Sequence, residues 1–487
     1  MDASMTGAIG ASRYDLLIIG GGPSGMSAAS EAATHGLTVA LVDERPTLGG
    51  QIYKQLGVGF QIHSDKSLGK DARKGRALIR ETDDPLITIF LKSVVVDVEE
   101  DRVLLVKEEK SSLSLYFKRL LIAPGAYDRP VTFPGWTLPG VITAGGAQTL
   151  VKSQRVLPGE RIFFAGSGPV ALAFPAQLSK YGANIVASLE AGPAPHFSDI
   201  VRLLFAAKGN LDLILDAIHY RYLLFKSRVP VRYGRIVVCA EGEGRLEFVT
   251  HAAVDRNWRP ISGTEERIAV DTLCVGYGFV PSVELFRLTN CDIDFDEGGW
   301  GLAVRVDNWG RTSNSHIFAA GDGAGVEGSY IAKASGRLAA IRIAIDVGAI
   351  SEPDGIEFAE SLRREVKARR AFQRVLSRMF RIGDGIFELL DENTIVCRCE
   401  NVTTAEILKA IDTTSDPSVV KAFTRAGMGL CQGRNCQMQI SALISKRTNI
   451  PMDQIPFATP RFPIRPVPLG AIADASIENE KFFLDVE

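Results

Sequence analysis

Residues 15–50 read DLLIIGGGPSGMSAASEAATHGLTVALVDERPTLGG. The pattern changes from strand to helix and back. Asp15 to Ile19 form a short apolar run that ends in Gly20-Gly21-Gly22-Pro23-Ser24-Gly25. The small-residue segment Met26 to Thr34 then has helical character, Gly36 stops it, and Thr38 to Val42 make a second strand. This is a βαβ opening with the G-x-G-x-x-G spacing at Gly20, Gly22 and Gly25. Gly20 permits the tight turn, Gly22 lets backbone approach a pyrophosphate, and Gly25 lets the helix pack closely on the strand. The pyrophosphate then lies over Pro23 and Ser24 at a helix N-terminus, where unpaired N–H groups and the macrodipole favour an anion. Asp43 stands 18 residues beyond Gly25, where a carboxylate can accept hydrogen bonds from an adenosine ribose. Glu44 follows it, and the loop Gly49-Gly50-Gln51 can bring backbone close to a ligand lying along the first motif.

At 487 residues with 46% hydrophobic content the chain can build several cores. A net charge of −2 gives no reason to expect nucleic acid. The N-terminus MDASMTGAIGAS lacks a basic segment followed by an apolar one, so no secretory leader is expected. Apolar runs are broken by glycine or fall short of the ~20 residues that a membrane span needs. A cytoplasmic protein is expected. Of seven cysteines, Cys239, Cys274 and Cys291 are scattered and read as small buried hydrophobes, while four crowd into residues 397–436.

Residues 86–106 and 115–122 read as strands of a small meander. Ala123-Pro124-Gly125-Ala126 then follows a buried strand, which makes Ala123 and Gly125 further candidates for the first pocket. A second unit opens with the strand 162–165 and Gly166-Ser167-Gly168-Pro169-Val170-Ala171, runs through a helix to about Lys180, and ends its next strand at Glu190. Glu190 can take ribose hydroxyls, and Ala191-Gly192-Pro193 offers no arginine for a 2′-phosphate, so NAD or a plain adenine nucleotide is favoured over NADP. A dinucleotide-type domain kept as scaffold, with an altered pocket, is the competing reading. Residues 196–235 depart from this pattern with an aromatic, basic, helical excursion that either covers the pocket or meets a partner chain.

Further on, Ile317 to Ala320 lead into Gly321-Asp322-Gly323-Ala324-Gly325 and a helix from about Ser329 to Val347. Gly321 and Asp322 supply what a flavin site needs from its second half: a carboxylate for a ribityl hydroxyl and a helix N-terminus facing the isoalloxazine. Together, residues 20–25, 43–51, 123–126, 166–171 and 321–325 resemble the flavoproteins with two dinucleotide-binding domains, in which an NAD-type domain interrupts the FAD domain. That likeness implies an α/β fold with two Rossmann-like domains of glutathione-reductase type. Disulfide reductases of that group carry a redox cysteine pair beside the flavin. Here no comparable pair precedes Cys397, which argues against disulfide reduction.

Residues 346–355 read as a linker, and 357–381 as an amphipathic helix with Leu362, Val366, Phe372, Val375, Leu376 and Met379 on one side and arginines on the other. Beyond it, Cys397 and Cys399 are separated by 31 residues from Cys431 and Cys436, giving C-x-C followed by C-x4-C. Thr403 and Glu406 form a capping box between them. Four thiolates from two short loops can hold a tetrahedral zinc or the two irons of a [2Fe–2S] cluster. If two irons are held, sequence proximity favours Cys397 and Cys399 on the same one. The stretches VCRCENVT and TRAGMGLCQGRNC resemble the bacterioferritin-associated ferredoxin family, which implies [2Fe–2S] and a small, mostly helical domain.

The resulting division is 14–150 for the first part of an FAD-type domain, 151–285 for an inserted NAD-type domain and 286–350 for the second part of the first. Residues 351–385 make a helical linker, 386–455 the cluster domain and 456–487 a C-terminal arm. With GAYDRPVTFPGWTLPGVITAGGAQ (125–148) and TPRFPIRPVPLG (459–470) added, the chain resembles the α subunit of heteromeric dye-linked dehydrogenases. That group includes opine oxidases, proline and hydroxyproline dehydrogenases and hydrogen cyanide synthase. The resemblance implies a β subunit of D-amino-acid-oxidase type that oxidises a C–N bond on its own FAD, in some complexes with a small γ subunit. This chain would then relay electrons to a quinone or dye-type acceptor, with peripheral contact to the membrane holding it. The relaying flavin is FAD held here or FMN at the subunit interface, followed by the cluster. The competing enzyme reading is a self-sufficient NADH:acceptor oxidoreductase. No residue stands out as a catalytic acid or base.

Overall fold

The computed structural model of the chain describes residues 13–57, 59–60, 69–108 and 110–473. The N-terminal segment on which the leader reading rests, and residues 474–487 of the C-terminal arm, lie outside them. Strand Arg13–Ile19 is the centre of the first sheet, parallel to Val39–Val42 on one side and to Ser111–Ile122 on the other. Leu16, Leu17 and Ile18 are wholly buried, as expected of a parallel sheet covered on both faces. Contrary to the expected meander, residues 86–106 divide. Ile87–Phe90 pairs parallel with Val39–Val42, while Ser93–Glu99 and Arg102–Lys107 form an antiparallel ribbon with Ser111–Ile122. Lys92 at φ +50° turns the chain between the two, and Ile87 goes into the same core as Leu41.

Ile317–Ala319 pairs parallel with the end of Ser111–Ile122, bringing Gly321 and Asp322 beside the first glycine turn. The reason is packing of small residues. The helix Pro23–Thr34 lies against Ser329–Asp346 through Ala28, Ala29 and Ala32 and Ala339 and Ala340. A Cβ on Gly336 would fall 2.2 Å from the Ser24 carbonyl oxygen, so the two backbones meet there.

The inserted domain has its own five-stranded parallel sheet, in the order Val231–Tyr233, Ile185–Glu190, Ile162–Gly166, Thr272–Gly276, Val141–Thr143. The excursion at 196–235 becomes helices Phe197–Phe205 and Leu211–Lys226 and the edge strand Val231–Tyr233.

Residues 352–355, expected in a linker, are helical. The helix runs over 28 residues from Glu352 to Met379, with the Ser351 hydroxyl accepting from Asp354 N–H at 3.3 Å. Pro353 occupies the first turn, where the missing N–H costs nothing. Ala359, Leu362, Val366 and Phe372 are buried. Its arginines are not simply solvated, because Arg369 reaches Asp212 at 2.8 Å and Arg370 reaches Glu327 at 2.8 Å.

The C-terminal unit pairs Ile395–Cys397 with Val402–Thr403 and packs helices Thr404–Ile411, Pro417–Thr424 and Gln437–Thr448 around Val396, Ile407, Val420, Ile440 and Ile444. The capping box forms as expected, with Glu406 accepting from Thr403 N–H at 2.8 Å. Among the described residues no helix is long and apolar enough to cross a membrane.

Candidate functional site

The first glycine turn is built as a cradle. Gly20 has φ +110°, and a Cβ there would lie 2.2 Å from the Ala123 carbonyl oxygen. One on Gly25 would lie 1.9 Å from the Gly20 carbonyl oxygen. At Gly22, by contrast, a Cβ would meet only the Gly50 Cα, at 3.8 Å. The helix Pro23–Thr34 opens with no side-chain cap and no acid in its first turn, so its N-terminal field is available to an anion. The Ser24 hydroxyl is buried without a hydrogen-bond partner and faces Gly321 and Gly336, where a Cβ would lie 3.3 and 3.0 Å from it. A glycine face lined by backbone alone and an uncapped helix fit the pyrophosphate of an adenine dinucleotide.

Asp43 is buried, accepting from Gly21 N–H at 2.6 Å and from Arg45 N–H at 2.8 Å. Burial pushes its carboxyl above the usual range in spite of those donors. The acid therefore ties the second strand to the turn. Glu44 pairs with Arg465 of the C-terminal arm at 3.3 Å. Gly50, at φ +60°, passes so close to the turn that a Cβ on it would lie 2.9 Å from the Gly22 Cα, and Gln51 is exposed. Gly125, at φ +73°, has open space where a side chain would point. The Asp322 carboxylate accepts from Glu327 and Gly328 N–H groups at 3.2 and 3.1 Å, and burial raises its carboxyl.

Lys54 was not expected here. It is 6% exposed, its ammonium donates to the Gly145 carbonyl at 3.2 Å and to the Thr149 hydroxyl, and burial, with Arg45 and Lys152 nearby, lowers it to about 8. A lysine after a glycine loop carries no pattern of its own.

The second turn is built differently. Glu190 accepts from the Ser167 hydroxyl at 2.6 Å, Gly168 N–H at 2.9 Å and Gly192 N–H at 2.8 Å. At 4% exposure, burial pushes it up to about 7 against those three donors. Phe380, just beyond the long helix, lies over the loop: a Cβ on Gly168 would be 3.7 Å from the Phe380 Cβ. Gly166 is pressed against the neighbouring strand, where a Cβ would lie 2.3 Å from the Gly276 carbonyl oxygen.

The four clustered cysteines come together from both loops. Cys397 and Cys436 are buried, Cys431 is half-buried and Cys399 exposed. The Cys436 side chain, together with N–H groups that include Gly427 at 3.5 Å, holds the Cys397 thiol down to about 5. Cys436 is driven up by the same contact, and Cys431 has Cys399 as its sulfur neighbour. Cys397 thus has Cys436 as its sulfur neighbour across the loops, and Cys399 has Cys431. Four thiols gathered from the two loops can hold the two irons of a [2Fe–2S] cluster. The glycines keep backbone near the sulfurs: a Cβ on Gly429 would fall 2.3 Å from the Cys399 Cβ.

This unit is fastened to the dinucleotide domains. Trp136 Nε1 donates to the Ile395 carbonyl at 2.6 Å, the Thr132 hydroxyl donates to Gln439 at 2.8 Å, and Arg434 pairs with Glu284 at 3.0 Å.

Residues 14–348 match the pyridine nucleotide-disulphide oxidoreductase family and residues 395–446 the BFD-like [2Fe-2S] binding domain. Hydrogen cyanide synthase subunit HcnB of Pseudomonas aeruginosa is 34% identical over 95% of this chain and 99% of its own length. An opine oxidase subunit of Rhizobium meliloti is 31% identical over 95% of this chain and 99% of its own. The crystal structure of L-proline dehydrogenase from P. horikoshii superposes with a TM-score of 0.66 at 20% identity, covering 95% of this chain and 80% of that one, a likeness of fold. The chain belongs to the pyridine nucleotide-disulphide oxidoreductase family, as an FAD-type flavoprotein oxidoreductase carrying a BFD-like [2Fe-2S] domain.

Proposed function

We propose that this chain is the electron-relaying subunit of a heteromeric dehydrogenase. In this reading a partner subunit with its own FAD oxidises the C–N bond of an opine or a secondary amino acid, and this chain passes the electrons to a quinone or dye-type acceptor. A bound flavin accepts an electron pair and releases electrons singly, and a [2Fe–2S] cluster carries them one at a time. The chain's own part is placement. Gly20, Gly22, Gly25, Gly50 and Ser24 receive the dinucleotide, Asp322 and the uncapped helix orient it, and Cys397, Cys399, Cys431 and Cys436 hold the irons.

The observation that carries the reading over a self-sufficient NADH oxidoreductase is the state of the second turn. Phe380 lies over Gly168, and all three donors around Glu190 are already used. A nicotinamide dinucleotide would have to displace an aromatic side chain there, whereas at the first turn only the glycine backbone of Gly50 approaches. In this reading electrons enter from another protein's flavin. The relatives named as subunits of hydrogen cyanide synthase and opine oxidase agree with that direction.

Anaerobic stopped-flow mixing tests it. NADH should leave the flavin of the isolated chain oxidised over seconds, while partner subunit plus substrate should reduce it. Rapid bleaching by NADH alone would establish the self-sufficient enzyme instead.

A further inference from the structure

We propose that the outer face of the helix Leu211–Lys226, together with Phe197–Phe205, docks a second copy of this chain as an antiparallel helix pair. The helix has two apolar stripes and only one is used. Leu224 is buried, and with Tyr220 and Leu223 it packs in the core that includes the helix Pro169–Ser179. On the other side Leu211, Leu215, Ile218, Tyr222 and Phe225 are 63%, 64%, 61%, 58% and 81% exposed. Their spacing of four, three, four and three residues is the heptad seam by which helices pair knobs-into-holes. The preceding helix buries none of its residues and adds exposed Phe197, Ile200, Leu204 and Phe205.

Nine large side chains at such exposures offer on the order of 1,000 Å². That exceeds the few hundred Å² usual for an apolar patch on a monomer. It matches the roughly 800 Å² that each partner contributes to a stable interface.

Charge selects the occupant and its direction. The first half of the seam helix carries Asp212 and Asp216, and the second half His219, Arg221 and Lys226. The two acids also hold Arg369 and Lys70, which fixes them on the helix flank. An antiparallel copy sets acidic half against basic half and opposes the helix dipoles favourably, whereas a parallel copy sets like against like. Self-complementary docking about a twofold axis is the form that identical chains take. Seam positions then meet in layers, Leu211 against the other copy's Tyr222 and Leu215 against its Ile218. A bilayer surface would instead favour basic flanks throughout, whereas here Asp212 and Asp216 flank the first half of the seam.

Sedimentation velocity on the full cofactor-loaded chain should give a dimer at micromolar concentration. Ile218→Glu should raise the dimer dissociation constant at least a hundredfold with flavin and iron content unchanged. Leu211→Cys mixed with Tyr222→Cys should form an intermolecular disulfide that neither variant forms alone and the unsubstituted chain does not form. This pair of substitutions decides the matter if Ile218→Glu misfolds. A monomeric unsubstituted chain, a dimer that survives Ile218→Glu, or a disulfide from Leu211→Cys alone would overturn the proposal. So would monomers that bind phosphatidylglycerol vesicles through Phe205, losing that binding in Phe205→Glu.

Discussion

Gly22→Ala and Gly25→Ala change neighbouring positions of one motif and should have opposite consequences. At Gly22 the backbone is extended (φ −79°, ψ −173°), and the new methyl would meet only the Gly50 Cα at 3.8 Å, an ordinary contact. The folded chain accommodates it, and the lost freedom of glycine in the unfolded state even favours folding by about 0.4–1 kcal/mol. The methyl does, however, stand in the gap between Gly22 and Gly50 that the pyrophosphate must enter. Displacing one charged hydrogen bond there costs about 1.5–3 kcal/mol, a 10- to 150-fold loss of affinity. At Gly25 the methyl would lie 1.9 Å from the Gly20 carbonyl oxygen and 3.2 Å from Ile18 Cγ2. The helix has to move off the strand, and such overpacking costs about 1–3 kcal/mol or more. Thermal midpoints from circular dichroism, flavin absorbance retained after desalting and calorimetric titration with ADP separate the two effects. Gly22→Ala should keep the midpoint of the nucleotide-free chain and bind nucleotide more weakly, whereas Gly25→Ala should lower both. Full flavin content in a well-folded Gly22→Ala variant would refute the placement of the pyrophosphate.

Cys431→Ser should lower iron content and stop reduction of the distal acceptor, while substrate still reduces the partner's flavin. The unsubstituted protein should be brown and, once reduced with dithionite, paramagnetic, which a zinc protein would not be. Glu190, raised to about 7 in the fold from an ordinary 4.5, binds its proton more tightly folded than unfolded. Its contribution to stability is full below pH 4.5 and is lost as pH rises through 7, on the order of 3 kcal/mol. Glu190→Gln should flatten that stretch of the stability–pH curve, and an unchanged slope would count against the buried acid. Arg434→Met leaves Glu284 without its partner in a nearly enclosed site, so the midpoint of the cluster domain should fall by an amount set by about 1–3 kcal/mol. Glu284→Gln with Arg434→Met should recover part of that loss, read as a double-mutant cycle.

What was legible in the sequence was local. The spacing of Gly20, Gly22 and Gly25, the acid at 43, the second turn at Gly166 and Gly168 and the Thr403–Glu406 box each occupy one turn of chain, and the backbone there obeys its nearest neighbours. The misreadings have equally local causes. Pro353 resembles a linker residue, although the first turn of a helix accepts it, and Ile87–Phe90 looks like its neighbours until Lys92 turns the chain. Contacts between distant segments left no periodic trace. Neither Phe380 over Gly168, nor Lys54 against Gly145, nor the approach of Cys436 to Cys397 across the loops follows from any spacing. For the excursion at 196–235 the sequence left covering the pocket and meeting a partner open, and the exposed seam favours the partner.

The attachment of the cysteine unit has a kinetic consequence. Trp136, Thr132 and Glu284 hold Ile395, Gln439 and Arg434 directly, so the unit is riveted to the dinucleotide domains and does not swing on a tether. On the proposed relay, electrons crossing from one to the other would meet a gap of constant width, and the crossing would not wait for a domain to diffuse. Thickening the solvent with sucrose or glycerol should therefore leave that internal step unchanged, even where it slows the encounter with a separate acceptor.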